Sequence, residues 1–429
     1  MKKRFVSMLL IICLLLGTLA GCGQGGGPTS TPTTKTPVVE PSSQVTGIEY
    51  DEHTTLAYYE GGSLSYFDQY CADLEGAGMT QAYYRDTESL RCAAYQDGQE
   101  YVYAYYAKRT GTMRVSKGLK ETFSTGDFQA DTGVSVTPTL TMVGQISSRN
   151  NGQGFIFVLP DGRLIVQDGG FGYTDDDPDG FYTAIKSVAP DENKVVIAAW
   201  FLSHPHDDHV NAFKKFMKEH GNDPSVEVER VVYNFAAPEQ YNFDREDGGK
   251  ERWSQYVIDV NALAGDKAIR AHTGQIFDFG CAQVEILFTA EDMLPAENFG
   301  FVNSASMVIR VSVAGQSVLL LADSTSISCP RIEAVFDDAL TSDMVQLSHH
   351  GMWAGTPTVY FYIRARVLLW PTLPSVAVKW LPDAPVLAAI RQAQDLFVAG
   401  TEMTTLQLPY TPVNNKQAVI AEISEKTAE

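Results

Sequence analysis

The chain has 429 residues, of which 44% are hydrophobic, 20% charged and 11% aromatic. This composition excludes a disordered or collagen-like chain, and the length allows two or three domains that each bury a core. The 32 Lys and Arg residues against 52 Asp and Glu give a formal net charge of −20, which counts against broad nucleic-acid binding through a basic face. It leaves open an active site that acts on a phosphate through metal ions.

The N-terminus has the pattern of a secretory signal. A basic segment that includes Lys2 and Arg4 precedes an apolar run at 8–16, which is too short to span a bilayer. The run ends near Leu19-Ala20-Gly21-Cys22, which resembles the lipobox of bacterial lipoproteins. We therefore expect a signal peptide over 1–21, lipidation of Cys22 and a location outside the cytoplasm, anchored to the cell membrane. An ordinary signal peptide with a chance cysteine is the alternative.

Residues 22–47 are rich in Gly, Pro, Ser and Thr, which predicts a flexible linker. The next region, 48–130, is predicted to be a small α+β domain. Apolar side chains at 64, 67, 71 and 74 have helical spacing, and strand-like runs follow at 81–85, 90–95 and 101–108.

Twelve of the twenty tyrosines lie between Tyr50 and Tyr106. In the third strand-like run, Tyr101, Tyr103 and Tyr105 share one face. This face either binds a glycan or a partner protein, or reflects the preference of tyrosine for strands. Cys71 and Cys92 either form a disulfide or remain buried thiols.

Five of the eight histidines form two short clusters. In the first, His204, His206 and His209 follow an apolar run at 195–202 that is typical of a buried strand, and an amphipathic helix follows. Imidazole and carboxylate groups at a strand end and a helix start are good ligands for zinc or manganese ions. In the second, His349 and His350 follow a short strand at 344–348.

The first cluster, with Asp208, fits the HxHxDH motif of the metallo-β-lactamase superfamily. Further similarities occur in the same order along the chain: Asp168 with Gly169 after a strand, Asp323 after the strands at 307–313 and 317–321, and the His-His-Gly sequence at 349–351. The last of these resembles the ComEC competence-protein branch. The resemblance covers 138–429 and implies an αββα sandwich. A helical pattern at 386–399 would cover its last strands.

The resemblance also implies roles for these residues. His204, His206 and Asp323 would bind a first metal ion. Asp208, His209 and Asp323 would bind a second, together with His349 or His350. The sequence does not decide between the two. Asp168 either orients ligands or belongs to a plain Asp-Gly turn.

Many members of the superfamily have a further histidine on the first metal ion. Here the only residues between the clusters that could supply it are His220 and His272, and neither is at the expected place. The first site is therefore expected to bind its ion weakly.

The function implied is metal-dependent hydrolysis by a metal-bound hydroxide, with one or two zinc ions or manganese. Asp208 would take part in catalysis, and Asp207 either guides the proton of the reacting water or is simply solvated. The branch points to a phosphodiester that is small, or derived from nucleic acid or cell wall. The negative charge disfavours an extended nucleic-acid-binding face. A lactone or amide hydrolase, a metal-sensing lipoprotein, and a catalytically weak binding or scaffold lipoprotein are the alternatives.

Overall fold

The computed structural model describes residues 38–144, 152–171, 179–241, 249–295 and 302–425. Residues from Val38 onward form one compact unit. The predicted signal peptide and Cys22 lie outside the described residues, as does the predicted linker up to residue 37. Among the described residues, no helix is both long and apolar enough to cross a bilayer.

The N-terminal part is an antiparallel sheet with a helix packed on one face. Its strands have the order β1-β2-β6-β5-β4-β3. Their bounds, with that of the helix, are β1 Ser43–Glu49, β2 Thr55–Glu60, α1 Leu64–Gly76, β3 Thr80–Asp86, β4 Leu90–Gln96, β5 Glu100–Ala107 and β6 Thr112–Leu119. Because β1 begins at Ser43, the last residues of the predicted linker belong to the sheet.

The helix α1 has sequence signals at both ends. The Ser63 side chain accepts a hydrogen bond from the backbone N–H of Tyr66, which caps the first turn. The helix ends at Gly76, and Gly78 has a positive φ that lets the chain turn away. Its buried side chains, Phe67 and Cys71, pack on the sheet.

The tyrosine face of β5 is not an external binding surface. Tyr101, Tyr103 and Tyr105 are buried in the core shared with the C-terminal part of the chain. The Tyr103 hydroxyl donates to the Thr273 carbonyl at 2.9 Å, and its ring stacks on His272 at 4.6 Å. The face therefore joins the two parts of the chain, and the glycan- or partner-binding interpretation is wrong for it.

The cysteines of this region are free thiols. All four cysteines of the described residues are unpaired. Cys71 lies in the core between α1 and the sheet, whereas Cys92 lies in the core on the other side of the sheet. The sheet separates the two sulfur atoms, so the disulfide alternative does not hold.

The C-terminal part contains two sheets. The first has the order β13-β12-β10-β9-β8-β7-β21, with β11 also paired to β10. Its strands are β7 Thr139–Met142, β8 Gly154–Val158, β9 Leu164–Asp168, β10 Val195–Phe201, β11 Val226–Val228, β12 Val231–Tyr233, β13 Ala268–Arg270 and β21 Thr404–Gln407. The second runs β14-β15-β16-β17-β18-β19-β20. Its strands are β14 Ile276–Asp278, β15 Ala282–Phe288, β16 Val308–Val313, β17 Gln316–Leu320, β18 Met344–Gln346, β19 Val367–Trp370 and β20 Asp395–Val398.

Helices cover the outer faces of both sheets. They are α2 Gly180–Val188, α3 Asp207–Glu219, α4 Gly249–Ala264, α5 Cys329–Phe336, α6 Pro357–Ile363, α7 Pro374–Trp380, α8 Ala384–Gln392 and α9 Lys416–Glu425. The helix predicted over 386–399 is therefore too long. It ends at Gln392, and the following residues form the edge strand β20.

The layers follow from the alternation of side chains along the strands. In β10, Phe201 points into the core between the two sheets, whereas Trp200 points outward. Trp200 packs on Phe213 and Phe216 of α3 at 5.2 and 5.1 Å. The inner faces of the two sheets thus share one core. The helices pack on the outer faces of the sheets and form further core there. This is the αββα sandwich that the resemblance implied.

Candidate metal centre

Four loops meet at one edge of the sandwich. They follow β9 and β10, which are parallel neighbours in the first sheet, and β17 and β18, which are parallel neighbours in the second. Because parallel strands end at the same edge, the loops bring together side chains far apart in sequence. They carry all the residues that the sequence predicted as metal ligands.

The first histidine cluster is buried where β10 ends and α3 begins. His204 and His209 have no solvent exposure, and His206 is 8% exposed. The Nε2 atom of His204 lies 3.0 Å from Nδ1 of His206, so both nitrogens face one point. The Nδ1 atom of His204 is within hydrogen-bond distance of Ser203 Oγ and Ser306 Oγ, at 3.0 and 3.2 Å.

Asp168, at the end of β9, fixes this loop from behind. Its carboxylate accepts hydrogen bonds from the Ser203 backbone N–H at 2.8 Å and the Ser203 hydroxyl at 2.7 Å. It also lies 2.8 Å from Nδ1 of His209. With Nδ1 donating to Asp168, the Nε2 lone pair of His209 faces the interior of the site. Asp168 thus has the contacts expected of a residue that orients ligands, which a residue of a plain Asp-Gly turn would not have.

Asp323, after β17, divides the donors into two sets. Its Oδ1 atom lies 3.1 Å from His209 Nε2 and 3.5 Å from His350 Nε2. Its Oδ2 atom faces the other way, 3.8 Å from His204 Nε2 and 3.7 Å from His349 Nε2. The carboxylate therefore stands between two groups of imidazoles.

The two adjacent histidines of the second cluster point to different sides of Asp323. His350 Nε2 is 3.3 Å from Asp208 Oδ2, and its Nδ1 donates to the Pro371 carbonyl at 3.1 Å. His349 Nε2 instead lies 3.0 Å from Asn303 Nδ2.

The loop that carries these histidines has unusual backbone geometry. His349 and His350 both have left-handed conformations, with φ of 51° and 53°. Gly351 follows at φ 80°, where a Cβ atom would lie 2.2 Å from Nε1 of Trp370. Trp370 donates to the His350 carbonyl at 2.6 Å and so holds the loop. Strained non-glycine backbone that the surroundings enforce is concentrated at functional sites.

Several polar atoms of the site are buried without a hydrogen-bond partner among the described residues. They include His209 Nε2, His350 Nε2 and Asp323 Oδ1. An unsatisfied buried polar atom is costly, and atoms of this kind that converge on one space are suited to bind a cation. Two overlapping groups have ligand atoms close enough to hold a metal ion: His204, His209 and Asp323, and Asp208, His209 and His350.

The electrostatics of the site favour a bound cation. Burial would raise the pKa of Asp323, but His209, His350 and His349 outweigh it and hold that pKa well below its ordinary value. Burial instead lowers the pKa of His204 well below its usual range, and the neighbouring imidazoles add to this. Burial would also lower the pKa of His209 and His350, but Asp323 and the neighbouring carboxylates outweigh it and raise both pKa values. A metal ion bound there would take the place of the protons on these two imidazoles.

Asp207, which the sequence predicts either to guide the proton of the reacting water or to be simply solvated, has a side chain that is only 14% exposed. Its carboxylate forms an ion pair with Arg252 of α4, and it accepts a hydrogen bond from the Asp208 N–H at 3.0 Å. Burial and the neighbouring Asp208 raise its pKa. Asp207 is thus paired with a cation beside the first histidine cluster, and no described contact joins it to Asp323 or to the second histidine cluster.

The remaining histidines considered as ligands lie elsewhere. His272 is buried under the tyrosines of β5, and its Nδ1 lies 3.0 Å from Glu291. His220 is within 3.0 Å of Asp179 and stacks on Tyr182. Asp179, Glu219 and His220 form a separate, more exposed cluster of potential ligands.

Sequence reasoning missed the residues that support the ligands. Ser203 and Ser306 hold His204, Asn303 contacts His349, and Trp253 of α4 packs on His206 at 4.4 Å. The only sequence signal for Ser203 is its place directly before His204. No local signal marks Trp253, because α4 reaches the site only through the tertiary fold.

Comparisons with known proteins give a distant structural likeness. No protein-family model and no curated protein matches the chain. Among solved structures, CmlA, a diiron beta-hydroxylase from Streptomyces venezuelae, matches at 13% identity and a TM-score of 0.38, over 63% of this chain and 54% of that one. A mutant of the CmlA beta-hydroxylase matches at 13% identity and a TM-score of 0.36, over 72% of this chain and 69% of that one.

A protein of unknown function from Enterococcus faecalis V583 also matches, at 13% identity and a TM-score of 0.28, over 49% of each chain. The chain spans about half of the first enzyme's length. With TM-scores below 0.4, the chemistry of the site is inferred from its own residues.

Proposed function

We propose that the protein is a metal-dependent hydrolase with a two-ion centre at this edge of the sandwich. The observation that carries the proposal is the position of Asp323, whose two oxygens face two separate sets of imidazoles. A carboxylate in that place can bridge two dications and fix their separation.

In this proposal, one ion is held by His204, His206 and Asp323, and the other by Asp208, His209, His350 and Asp323. His349 also lies on the Oδ2 side of Asp323, but its Nε2 accepts a hydrogen bond from the Asn303 amide nitrogen at 3.0 Å, so of the two adjacent histidines His350 would be the ligand. Nitrogen and carboxylate donors without thiolates suit zinc, and they also suit manganese. Bound there, the ions would act as Lewis acids and lower the pKa of a water molecule toward neutrality.

The chain's own residues would then position and protect this chemistry. Asp168 keeps the Nε2 lone pair of His209 directed inward, and the Pro371 carbonyl does the same for His350. The Arg252–Asp207 ion pair and the Trp253 ring, which packs on His206, would hold the first cluster in place from the side of α4. Burial of the ligands keeps bulk water away from them, which strengthens every electrostatic interaction inside.

A phosphodiester is the substrate class that we propose. The order of the motif residues resembles the ComEC branch, and two dications suit an anionic phosphate. The net charge of −20 disfavours a long polyanion held along an open face, so a small or short phosphodiester fits best. Such a substrate could derive from nucleic acid or from a cell-wall polymer.

We also propose that the protein acts outside the cytoplasm as a lipoprotein. The support is the order of basic segment, apolar run and Cys22 in the sequence. Growth with a radiolabelled fatty acid tests it: label on the full chain that disappears in Cys22→Ser supports the anchor, and equal label in both contradicts it.

The test of the function uses the purified protein, stripped of metal and reloaded with zinc or manganese. Bound metal per chain and hydrolysis of bis(p-nitrophenyl) phosphate are measured for the parent, Asp208→Ala and the control Asp179→Ala. Asp179 belongs to the separate ligand cluster at His220. Metal-dependent turnover that Asp208→Ala abolishes and Asp179→Ala retains supports the proposal.

Two other outcomes are informative. If the protein binds metal and hydrolyses a lactone or an amide but not the phosphodiester, it is a hydrolase of a different substrate class. A folded protein with neither metal nor turnover would contradict the proposal and favour a binding lipoprotein.

A further inference from the structure

A tryptophan at the rim of the metal centre is left almost bare. Trp353 is 69% exposed, the highest value for a large hydrophobic side chain in the described part of the chain. Tryptophan carries the largest apolar surface of any side chain and is usually buried over most of it. An exposed indole beside a polar site therefore calls for a function.

The indole is held in place although it is exposed. Trp353 has a φ of 49°, a conformation that is uncommon for a bulky residue. Its ring meets the ring of Trp380 edge to face, with centroids 5.0 Å apart and planes at 69°. That contact supports one side of the indole and leaves the rest accessible.

The indole also borders the ligands. Its ring centroid lies 6.0 Å from that of His349, whose Nε2 is 3.7 Å from Asp323 Oδ2. The strained loop at 349–355 thus places an aromatic surface next to the point where the proposed substrate would react. The Asp323 carboxylate brings negative charge close to His349, and a neutral ring experiences no repulsion there.

We propose that Trp353, supported by Trp380, is a specificity-determining platform on which a ring of the substrate stacks. The proposal rests on the proposed function and narrows its substrate class. The substrate would carry an aromatic or sugar ring next to the phosphate that is cleaved, and the ring would lie on the indole while the phosphate reaches the metal ions. Both ring types present a flat face to tryptophan.

The experiment compares affinities of three phosphates for the zinc-loaded full chain by calorimetry. Phenyl phosphate carries an aromatic ring, glucose 1-phosphate carries a sugar ring, and methyl phosphate carries none. The variants are Trp353→Asn, which removes the ring and tolerates the left-handed backbone, and Trp353→Phe, which retains a ring. Phe361→Ala is the control, because Phe361 is 61% exposed on α6 and has no described contact with the site. Zinc content equal to the parent shows that each variant keeps the centre.

We expect the parent to prefer a ring-bearing phosphate over methyl phosphate. Trp353→Asn should weaken the affinity for that phosphate by about 5- to 150-fold, the range for loss of one stacked ring, and leave the affinity for methyl phosphate unchanged. Trp353→Phe should recover most of the affinity, and Phe361→Ala should match the parent. If the affinity for phenyl phosphate falls more, the natural substrate carries an aromatic ring; if the affinity for glucose 1-phosphate falls more, it carries a sugar ring.

The proposal is wrong if Trp353→Asn prefers ring-bearing phosphates as strongly as the parent does, or if the parent shows no such preference. Hydrolysis of bis(p-nitrophenyl) phosphate decides the proposed function separately. If no phosphate binds, phenol and methyl glucoside are added to protein labelled with 5-fluorotryptophan. The Trp353 resonance is identified by its loss in Trp353→Phe. A shift of that resonance supports the platform, and its absence overturns it.

Discussion

Replacement of Asp168 by Asn should weaken metal binding although Asp168 is not itself a ligand. The carboxylate receives the Ser203 N–H, the Ser203 hydroxyl and Nδ1 of His209, all within 2.8 Å. An amide of the same size has one acceptor oxygen, and its NH₂ group would face donors. The His209 ring would then lose the partner that keeps its Nε2 lone pair directed toward Asp323.

The expected loss of metal affinity follows from comparable changes around metal-bound histidines. Removal of a carboxylate that orients such a histidine typically costs 10- to 100-fold in affinity, which is about 1.4 to 2.8 kcal/mol. The metal-free protein should also lose stability, because one hydrogen bond to a charged group contributes about 1.5 to 3 kcal/mol. Binding and folding are therefore both expected to weaken.

The assay is competition with a chelator of known zinc affinity, together with denaturant unfolding of the metal-free protein. Asp395→Asn is the matched control. Asp395 is a fully buried aspartate at the start of β20 that accepts bonds from the Tyr410 hydroxyl and the Val413 and Asn415 backbone. The Asp395→Asn variant should be less stable than the parent but bind zinc with the same affinity. Equal zinc affinity in Asp168→Asn and the parent would refute the orienting role.

Three further predictions concern packing, charge and metal. Gly351→Ala should cost about 2 to 5 kcal/mol of unfolding free energy and lower zinc content, because the added Cβ would lie 2.2 Å from Trp370 Nε1 at a positive φ; parent-like unfolding and zinc content would contradict this. Glu285→Gln should cost about 1 to 3 kcal/mol at pH 7, because it breaks the 2.7 Å ion pair with Arg85 that joins the two parts of the chain. Burial would raise the pKa of Glu285, but Arg310 and Arg85 hold it below its ordinary value, so its contribution is lost as pH falls through that lowered pKa; a difference in unfolding free energy between parent and variant that stays constant from pH 7 to 3 would argue against it. Zinc at 100 times its dissociation constant should stabilise the parent by about 2.7 kcal/mol per site, and removal of the zinc with a chelator should reverse this. An unfolding midpoint that is the same with and without zinc would contradict a metal site in the folded protein.

Much of the sandwich could be predicted from local patterns. The apolar run before His204 is β10, and the helical spacing after it is α3, because a buried strand and an amphipathic helix have distinct periodicities. The motif residues follow strand ends, so their convergence at one edge follows from parallel pairing. Asp168 and Asp323 are 155 residues apart, and it is the resemblance to the metallo-β-lactamase superfamily that assigns both to one site.

Other features depend on contacts that no local pattern specifies. His349 and His350 have the same residue type and adjacent positions. Only their left-handed backbone, fixed by Trp370, sends them to different sides of Asp323. The tyrosines of β5 have an alternating pattern that shows a buried face but not what buries it. The region around Gln392 reads as a continuous helix because the apolar residues of β20 prolong the helical pattern.

Anomalous diffraction from zinc-loaded crystals of the protein tests the central claim most directly. The account predicts two zinc peaks on either side of the Asp323 carboxylate. One should lie among Asp208, His209 and His350, and the other beside His204 and His206. Zinc bound only at the Asp179–His220 cluster, or no peak next to Asp323 at saturating zinc, would contradict it.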